Sequence, residues 1–349
     1  MKPFGERKPG YLLLLLSGVS LLARLMFLGR KSFWIDECLA WGAVRQDWTG
    51  MISSISSGTP HPPIAFIVMK ISSLLPGSGE FGLRFLIAVV VASAVIPVFR
   101  LASRRTTARG GFWAGMVWAL SPFAVSLGQE AWVYGINIAV SLWFADLADM
   151  AWRGSKKALI GTLLLGVTGI LTQHIFVLTV AAGSVLYFTI DRCERISLKR
   201  FILVPGVLAL MYTPVFLFYS AQFTERSSRM AAAGMGVGFS RLLSTQPLSQ
   251  FFRILSGGIL PEISSNLLDR PRMLTAYLLN AVIVLALALW PFFTGMLRSI
   301  ERRYLWLCLL IPFGLFLTDG PTVRQIAILW IPVSITSAAV FSRYRWSGI

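Results

Sequence analysis

The sequence predicts an all-α, polytopic membrane protein, and both its composition and the placement of its charges support this fold class. Of the 349 residues, 56% are hydrophobic and only 13% are charged, whereas soluble domains carry about 25% charged residues. The mean hydropathy is +0.70. The net charge of +17 comes from short basic clusters between apolar runs. This is the pattern of the positive-inside rule and excludes nucleic acid as the expected partner.

Ten apolar runs are predicted to span the membrane, although some are shorter than the roughly 20 residues that a span needs. In chain order they are Tyr11–Leu28, Phe85–Leu101, Phe112–Gly128, Trp132–Trp152, Ala158–Thr172, Ile175–Ile190, Phe201–Ser220, Leu274–Leu297, Tyr304–Leu317 and Val323–Phe341. The first run is interpreted as a retained span because a basic pair follows it instead of a cleavage site. Residues 1–349 then form a single membrane domain, and residues 273–349 are its C-terminal spans.

A further apolar run, Pro62–Leu75, decides the topology. If it spans, every later basic cluster faces outward; if it does not, all of them face the cytoplasm. The run is too short for a span and carries Lys70 midway, so it is predicted to be an amphipathic helix in the outer interface. Both termini are then cytoplasmic. Two long segments, Gly29–Arg84 and Ala221–Arg272, face outward, and a second interfacial helix is predicted over Phe239–Leu260.

With this topology, the unusual polar residues collect on the outer side. Asp36 and Glu37 follow an aromatic pair directly after the first span, and aromatic residues favour the membrane–water interface. The other members of the set are His61, Lys70, Arg84, Gln129, Glu130, Tyr134, His174, Asp319 and Arg324. Structural interpretations stay open, because adjacent acids also mark a loop or a helix start, and arginines near span ends snorkel to the interface.

The order of these residues resembles a known family. The motifs are Trp34-x-Asp36-Glu37, His61-Pro62-Pro63, Glu80-Phe81-Gly82-Leu83-Arg84, Ser121-Pro122-Phe123, Gln129-Glu130-Ala131 with Tyr134, Thr172-Gln173-His174 and, more weakly, Pro321-Thr322-Val323-Arg324. This series resembles the C-type (GT-C) glycosyltransferases, in the polyprenyl- or dolichyl-phosphate-sugar-dependent branch. That branch includes protein mannosyltransferases and the aminoarabinose transferases of lipid A. The resemblance covers roughly residues 11–190 and implies a catalytic core over residues 11–220 that includes the outer loop 29–84.

The resemblance also implies a role for each residue. Asp36 matches the presumed catalytic base and Glu37 its acidic neighbour. The residues expected to contact the donor phosphate are Arg84, Arg324, His61 and Lys70. The residues expected to bind substrate are Gln129, Glu130, Tyr134 and His174. Two departures are Trp132, where relatives often have Arg, and Gln173, where they tend to have Thr.

The predicted function is the inverting transfer of a sugar from a polyprenyl-phosphate donor to an acceptor hydroxyl of a lipid, glycan or protein. The enzyme is expected in the cell membrane, by inference the bacterial inner membrane, with its site on the extracytoplasmic face. No cofactor is required by the sequence, and a Mg²⁺ or Mn²⁺ ion on Asp36, Glu37 and Glu130 stays open. The alternatives are a transporter or flippase, which usually places its polar residues near the bilayer midplane, and a non-catalytic membrane subunit.

Overall fold

The structure is a computed structural model that describes residues 9–58, 61–75, 77 and 79–232. This part of the chain is helical and contains no β-strand. Its elements are α1 (Pro9–Leu25), α2 (Ile35–Val44), α3 (Trp48–Gly58), α4 (Ile64–Ser73), α5 (Gly79–Ser93), α6 (Val95–Arg105), α7 (Ala108–Leu120), α8 (Pro122–Gly128), α9 (Val133–Trp152), α10 (Lys156–Ile170), α11 (Val177–Leu186) and α12 (Leu198–Ala232), with short 3₁₀ turns at His174–Phe176 and Tyr187–Thr189.

The first seven predicted spans lie on these helices, whereas the last three, the interfacial helix over Phe239–Leu260 and Arg324 lie outside the described residues. Two described stretches, Gly79–Arg105 and Leu198–Leu217, are long and apolar enough to cross a membrane. The predicted span Phe112–Gly128 is divided between α7 and α8. Pro122 begins the second of these helices, since proline lacks the N–H that would continue the first one.

The described residues form two compact units. The first contains residues 9–23 and 95–126, and the second contains residues 24–94 and 127–232. In the first unit, α6 and α7 pack closely, and a Cβ at Gly111 would lie only 2.7 Å from the carbonyl oxygen of Phe99. Glycine is therefore required for that approach.

In the second unit, α9 is the central helix and is buried along almost its whole length. It approaches α5 closely at Gly135, where a Cβ would lie 3.1 Å from Val91 Cγ2. The hydroxyl groups of Ser141 and Thr179 are 2.9 Å apart. Eleven residues further along α9, Trp152 Nε1 donates to the carbonyl oxygen of Gly183 at 2.9 Å. Residue numbers increase along both helices from the first contact to the second, so α9 and α11 run parallel.

The segment between α1 and α5 contains three short helices. Helix α4 has ten residues and is about 15 Å long, so it cannot by itself cross a hydrocarbon core of about 30 Å. Its position in an interface stays a prediction. Short amphipathic helices were predicted in this outer loop, but the ranges of α2 and α3 were not, because neither has an apolar run of spanning length. The signal present in the sequence was the pair Asp36 and Glu37, since acidic residues are enriched in the first turn of a helix.

Labelling distinguishes the two alternatives for Pro62–Leu75, which are a membrane span and a helix in the outer interface. We expect a cysteine at exposed Leu74 and one at exposed Ser53 to react with a membrane-impermeant maleimide from the outer side only. A cysteine at exposed Ala108 should react only from the cytoplasmic side. The measurement is labelling of intact and permeabilised cells, in a chain whose native cysteines are replaced by serine. Outer-side reaction at Ala108 would contradict the topology.

Candidate active site

The candidate site is built around the first turn of α2. Trp34 occupies the N-cap position, and its carbonyl oxygen accepts from Cys38 N at 2.9 Å. Glu37 accepts from Trp34 N at 3.3 Å, which satisfies a backbone donor that a helix start leaves open. Successive residues on a helix point about 100° apart. Glu37 is accordingly fully buried, whereas Asp36 is half-buried.

Glu37 forms a buried, bidentate ion pair with Arg84 of α5. Arg84 Nε donates to Glu37 Oε1 at 2.8 Å and Arg84 Nη2 donates to Oε2 at 2.6 Å. The two side chains are 3% and 0% exposed. The phenyl ring of Phe33 lies over the guanidinium, with its centroid 5.4 Å from Cζ. Fork-to-fork geometry of this kind fixes orientation as well as supplying attraction.

Three backbone carbonyls use the other donors of Arg84. Nη1 donates to Leu28 O at 3.0 Å and to Lys31 O at 2.7 Å. Nη2 donates to Ser32 O at 3.2 Å. A guanidinium has five N–H groups, and these contacts together with the two to Glu37 engage all five. In this conformation Arg84 therefore binds Glu37 and the segment before α2. Its contact with a donor phosphate stays a prediction, because all five N–H groups already have partners.

Glu37 also fixes the turn between α8 and α9. Its Oε1 accepts from Ala131 N at 2.6 Å, and Trp132 N then donates to Glu130 O at 2.9 Å. One carboxylate thus connects α2, α5 and this turn. The predicted substrate-binding residue Glu130 is half-buried beside that contact.

An aromatic cluster lies next to this carboxylate. The ring of Trp132 is 5.4 Å from His61, 6.0 Å from Phe66 and 6.4 Å from Trp34, in edge-to-face arrangements. The ring of His61 is also 6.3 Å from Tyr134. We call these five residues the aromatic cluster. Edge-to-face ring pairs add about 0.5–1.5 kcal/mol beyond burial, so the cluster fixes two predicted site residues, His61 and Tyr134, beside the N-cap of α2.

His174 lies in the turn between α10 and α11, close to the start of α4. The amide of Ile64, the first residue of α4, donates to Leu171 O at 3.1 Å, which connects the turn to the segment that carries His61. Burial lowers the pKa of the His174 imidazole below its ordinary value, because a charged ring is disfavoured away from water.

Two predicted residues contact backbone carbonyls outside this cluster. Lys70 Nζ donates to Val44 O at 2.7 Å and also to Gln46 O. A cation at the C-terminus of α2 is favoured by the orphan carbonyls there. This contact at Val44 is eight residues after Asp36, which is about 12 Å along α2 at 1.5 Å per residue. Gln129 Nε2 donates to Met26 O at 2.8 Å and to Arg24 O at 3.3 Å, so it connects the end of α8 to the end of α1.

The three carboxylates considered for a divalent cation are not arranged as a metal site. Both oxygens of Glu37 accept hydrogen bonds from Arg84 and from backbone amides. Within the described part of the chain, no group of three or more His, Cys, Asp and Glu side chains is placed to bind a metal ion. No step of the reaction is therefore assigned to a metal.

The sequence matches a known family model over part of its length. Residues 60–224 match the dolichyl-phosphate-mannose-protein mannosyltransferase model. No match was found among curated protein sequences.

Solved structures with a similar fold were also found. One is the archaeal oligosaccharyltransferase AglB from Archaeoglobus fulgidus, in complex with an inhibitory peptide and a dolichol-phosphate; it has 13% identity and a TM-score of 0.50, and the match covers 97% of this chain. The chain spans 50% of the length of AglB. Another is ArnT from Cupriavidus metallidurans bound to undecaprenyl phosphate, with 15% identity, a TM-score of 0.45, and coverage of 95% of this chain and 77% of ArnT.

The likeness to AglB is a likeness of fold, and the family match covers residues 60–224. Both agree with the GT-C resemblance that the sequence motifs indicate.

The Glu37–Arg84 pair can be tested through stability. Glu37→Gln leaves the Arg84 charge buried without its counter-ion, so we expect a loss of about 3–5 kcal/mol. The matched control is Glu194→Gln, since Glu194 is 54% exposed in its ion pair with Arg153 and exposed pairs contribute about 0–1 kcal/mol. The measurement is thermal unfolding in detergent.

A double-variant cycle completes this test. Glu37→Gln combined with Arg84→Met should cost clearly less than the sum of the two single losses, because the second change removes the charge that the first left unpaired. Additive losses would contradict the coupling.

Proposed function

We propose that this protein is an inverting glycosyltransferase that transfers a sugar from a polyprenyl-phosphate carrier to an acceptor hydroxyl on the extracytoplasmic face of the membrane. The observation that carries the proposal is the difference in burial between two neighbouring acids. Glu37 is fully buried and bound to Arg84, while Asp36 on the same helical turn is half-buried. Glu37 positions the loop through Arg84 and Ala131, and we assign the chemistry to Asp36 because its side chain is only partly buried.

Asp36 is assigned as the general base. A base must come within about 3 Å of the proton that it removes, which a fully buried carboxylate with both oxygens committed cannot do without losing its partners. Glu37 is therefore assigned as a positioning residue, although the sequence also suggested it as catalytic. Arg84 is assigned the same role, because its five N–H groups contact Glu37 and the segment before α2.

The proposed reaction is a single displacement at the anomeric carbon. Asp36 accepts the proton of the acceptor hydroxyl as its oxygen forms a bond to the anomeric carbon. The bond from that carbon to the phosphate oxygen breaks on the opposite side, and its electron pair leaves with the polyprenyl phosphate. Attack from the opposite side inverts the configuration. General-base catalysis of this kind contributes about 10²–10⁴-fold to the rate.

The donor class is supported by the proteins that this chain resembles. The matched family is described as dolichyl-phosphate-mannose-dependent, and AglB was solved with a dolichol-phosphate and an inhibitory peptide. A polyprenyl-phosphate sugar is therefore the proposed donor, and a lipid, glycan or protein the acceptor. Arg324 stays the proposed phosphate contact, since guanidinium binds phosphate through two parallel hydrogen bonds.

The remaining predicted residues receive different parts in this proposal. His61 and Tyr134 belong to the aromatic cluster beside α2, and Glu130 and His174 lie in the two adjoining turns. We keep Glu130, Tyr134 and His174 as proposed substrate-binding residues and His61 as a proposed contact of the donor phosphate. Lys70 and Gln129 are assigned to stabilising α2 and the α8–α9 turn, because their donors contact backbone carbonyls.

Substitution of Asp36 tests the base. We expect Asp36→Asn to lower kcat by about 100-fold or more, because an amide cannot accept the proton. The unfolding temperature and binding of the bare carrier, undecaprenyl phosphate, should be unchanged. The measurement is turnover of a radiolabelled polyprenyl-phosphate sugar by purified protein at saturating donor. Full activity would move the chemistry to another residue, with Glu130 tested next.

Substitution of Arg324 tests the donor phosphate. We expect Arg324→Ala to raise the donor KM by about ten- to a hundredfold, since a lost charge-assisted contact costs about 1.5–3 kcal/mol. Arg324→Lys should recover only part, because an ammonium does not form the fork. The acceptor KM is the internal comparison. Unchanged donor kinetics in Arg324→Ala would remove this residue from the site.

A further inference from the structure

In the described part of the second unit, three nearly fully buried residues each have a side-chain polar atom with no hydrogen-bond partner. They are Trp132, Asn137 and Gln173, which are 5%, 1% and 1% exposed. Among the described residues, no group bonds to the Nε1 of Trp132 or to the side-chain oxygens of the other two. Buried polar groups are nearly always hydrogen-bonded, and each exception needs an explanation.

These three residues lie on adjoining segments. Trp132 is the centre of the aromatic cluster and precedes α9 by one residue. Asn137 lies one turn before Ser141, whose hydroxyl contacts that of Thr179. Residues four apart share a face of a helix, so Asn137 lies on the face of α9 that contacts α11, and the turn between α10 and α11 contains Gln173. The same turn contacts Ile64, the first residue of α4, through Leu171, and Ile64 lies three residues after His61 of the cluster.

The chemistry of the three groups indicates what would satisfy them. The two amide oxygens accept hydrogen bonds, and the indole N–H donates one. A phosphate at neutral pH offers mainly acceptors, so it could bond to the indole N–H but would leave the two amide oxygens unsatisfied. A polyprenyl chain offers no polar atom. Sugar hydroxyls both donate and accept, and their carbon faces pack on aromatic rings. Ligand-binding pockets typically contain a few polar groups among aromatic and apolar side chains.

We infer that Trp132, Asn137 and Gln173 bind the hydroxyl groups of the sugar that is transferred. The inference rests on the proposed function, because it gives the donor sugar its place next to the helix that carries Asp36. Trp132 is one ring contact away from Trp34, the N-cap of that helix. A site built to hydrogen-bond a hydroxyl discriminates strongly against an analogue that lacks it. These residues would therefore select the sugar, whereas Asp36 performs the chemistry.

The variants that test the inference keep the shape and remove the polar atoms. Asn137→Leu and Gln173→Met each replace an unpartnered amide by an apolar group, so the unfolding temperature without substrate should stay the same or rise. The matched control is Ser141→Ala. It also removes a buried polar group from α9, but its hydroxyl contacts the protein, so sugar binding should not change.

The measurement compares carriers by isothermal titration with the full chain in detergent. The probes are undecaprenyl phosphate alone and the same carrier bearing mannose, glucose, galactose or aminoarabinose. We expect at least one sugar to tighten binding by about tenfold over the bare carrier. Each variant should reduce that gain by about two- to tenfold, and the Ser141→Ala control should keep it.

The outcomes separate the two proposals. If the bare carrier does not bind the wild-type chain, the proposed function is wrong. If the carrier binds but no sugar of the panel tightens binding, or if the gain survives in both variants, the subsite is wrong. If the variants do reduce the gain, deoxygenated sugars identify which hydroxyl each residue binds. The affinity lost with the missing hydroxyl in the wild-type chain should not be lost again in the variant that lacks its partner.

Discussion

The buried ion pair between Glu37 and Arg84 is the interaction on which the second unit's candidate site depends. Charged groups are costly to bury, and a pair is tolerated only when its remaining donors and acceptors are also satisfied. Here all five N–H groups of the guanidinium and both carboxylate oxygens have partners. The pair thereby connects α2, α5, the segment before α2 and the turn before α9.

This constraint explains how two adjacent acids acquire different roles. The 100° step between neighbours on a helix turns Glu37 into the interior while Asp36 stays half-buried. Any shift of α2 would break a desolvated bond to Arg84, so the position of Asp36 is fixed by its neighbour. A catalytic group needs this kind of support from surrounding residues, because a misplacement of about 1 Å can cost a hundredfold in rate.

The aromatic cluster adds a second, apolar support beside the first. Trp132 immediately follows Ala131, whose amide binds Glu37, so the polar contact and the ring contacts position the same turn. The departure from relatives at this position, Trp instead of Arg, replaces a charge by a ring that packs on His61, Phe66 and Trp34. In our proposal this change bears on which sugar is accepted, and it leaves the base at Asp36 unaffected.

Much of the architecture was determined by the sequence itself. Apolar runs predicted seven spans that lie on helices between residues 9 and 220, and the length of Pro62–Leu75 predicted that it does not span. The motif order indicated a resemblance to the GT-C class, which the family match over residues 60–224 supports, and it drew attention to the acids at the start of α2. These features are local, since each depends on composition and spacing within a short window, and for that reason a single sequence reveals them.

The partners of the polar residues were decided only by the tertiary structure. Arg84 is predicted to contact the donor phosphate because an arginine at the start of a span has the right charge. The structure adds a partner that the sequence did not indicate, Glu37, which is 47 residues away. Lys70 likewise contacts the end of α2, 26 residues before it. The unsatisfied groups of Asn137 and Gln173 carry no signal in the sequence at all. Long-range pairing follows from how helices pack, and no local pattern of residues records it.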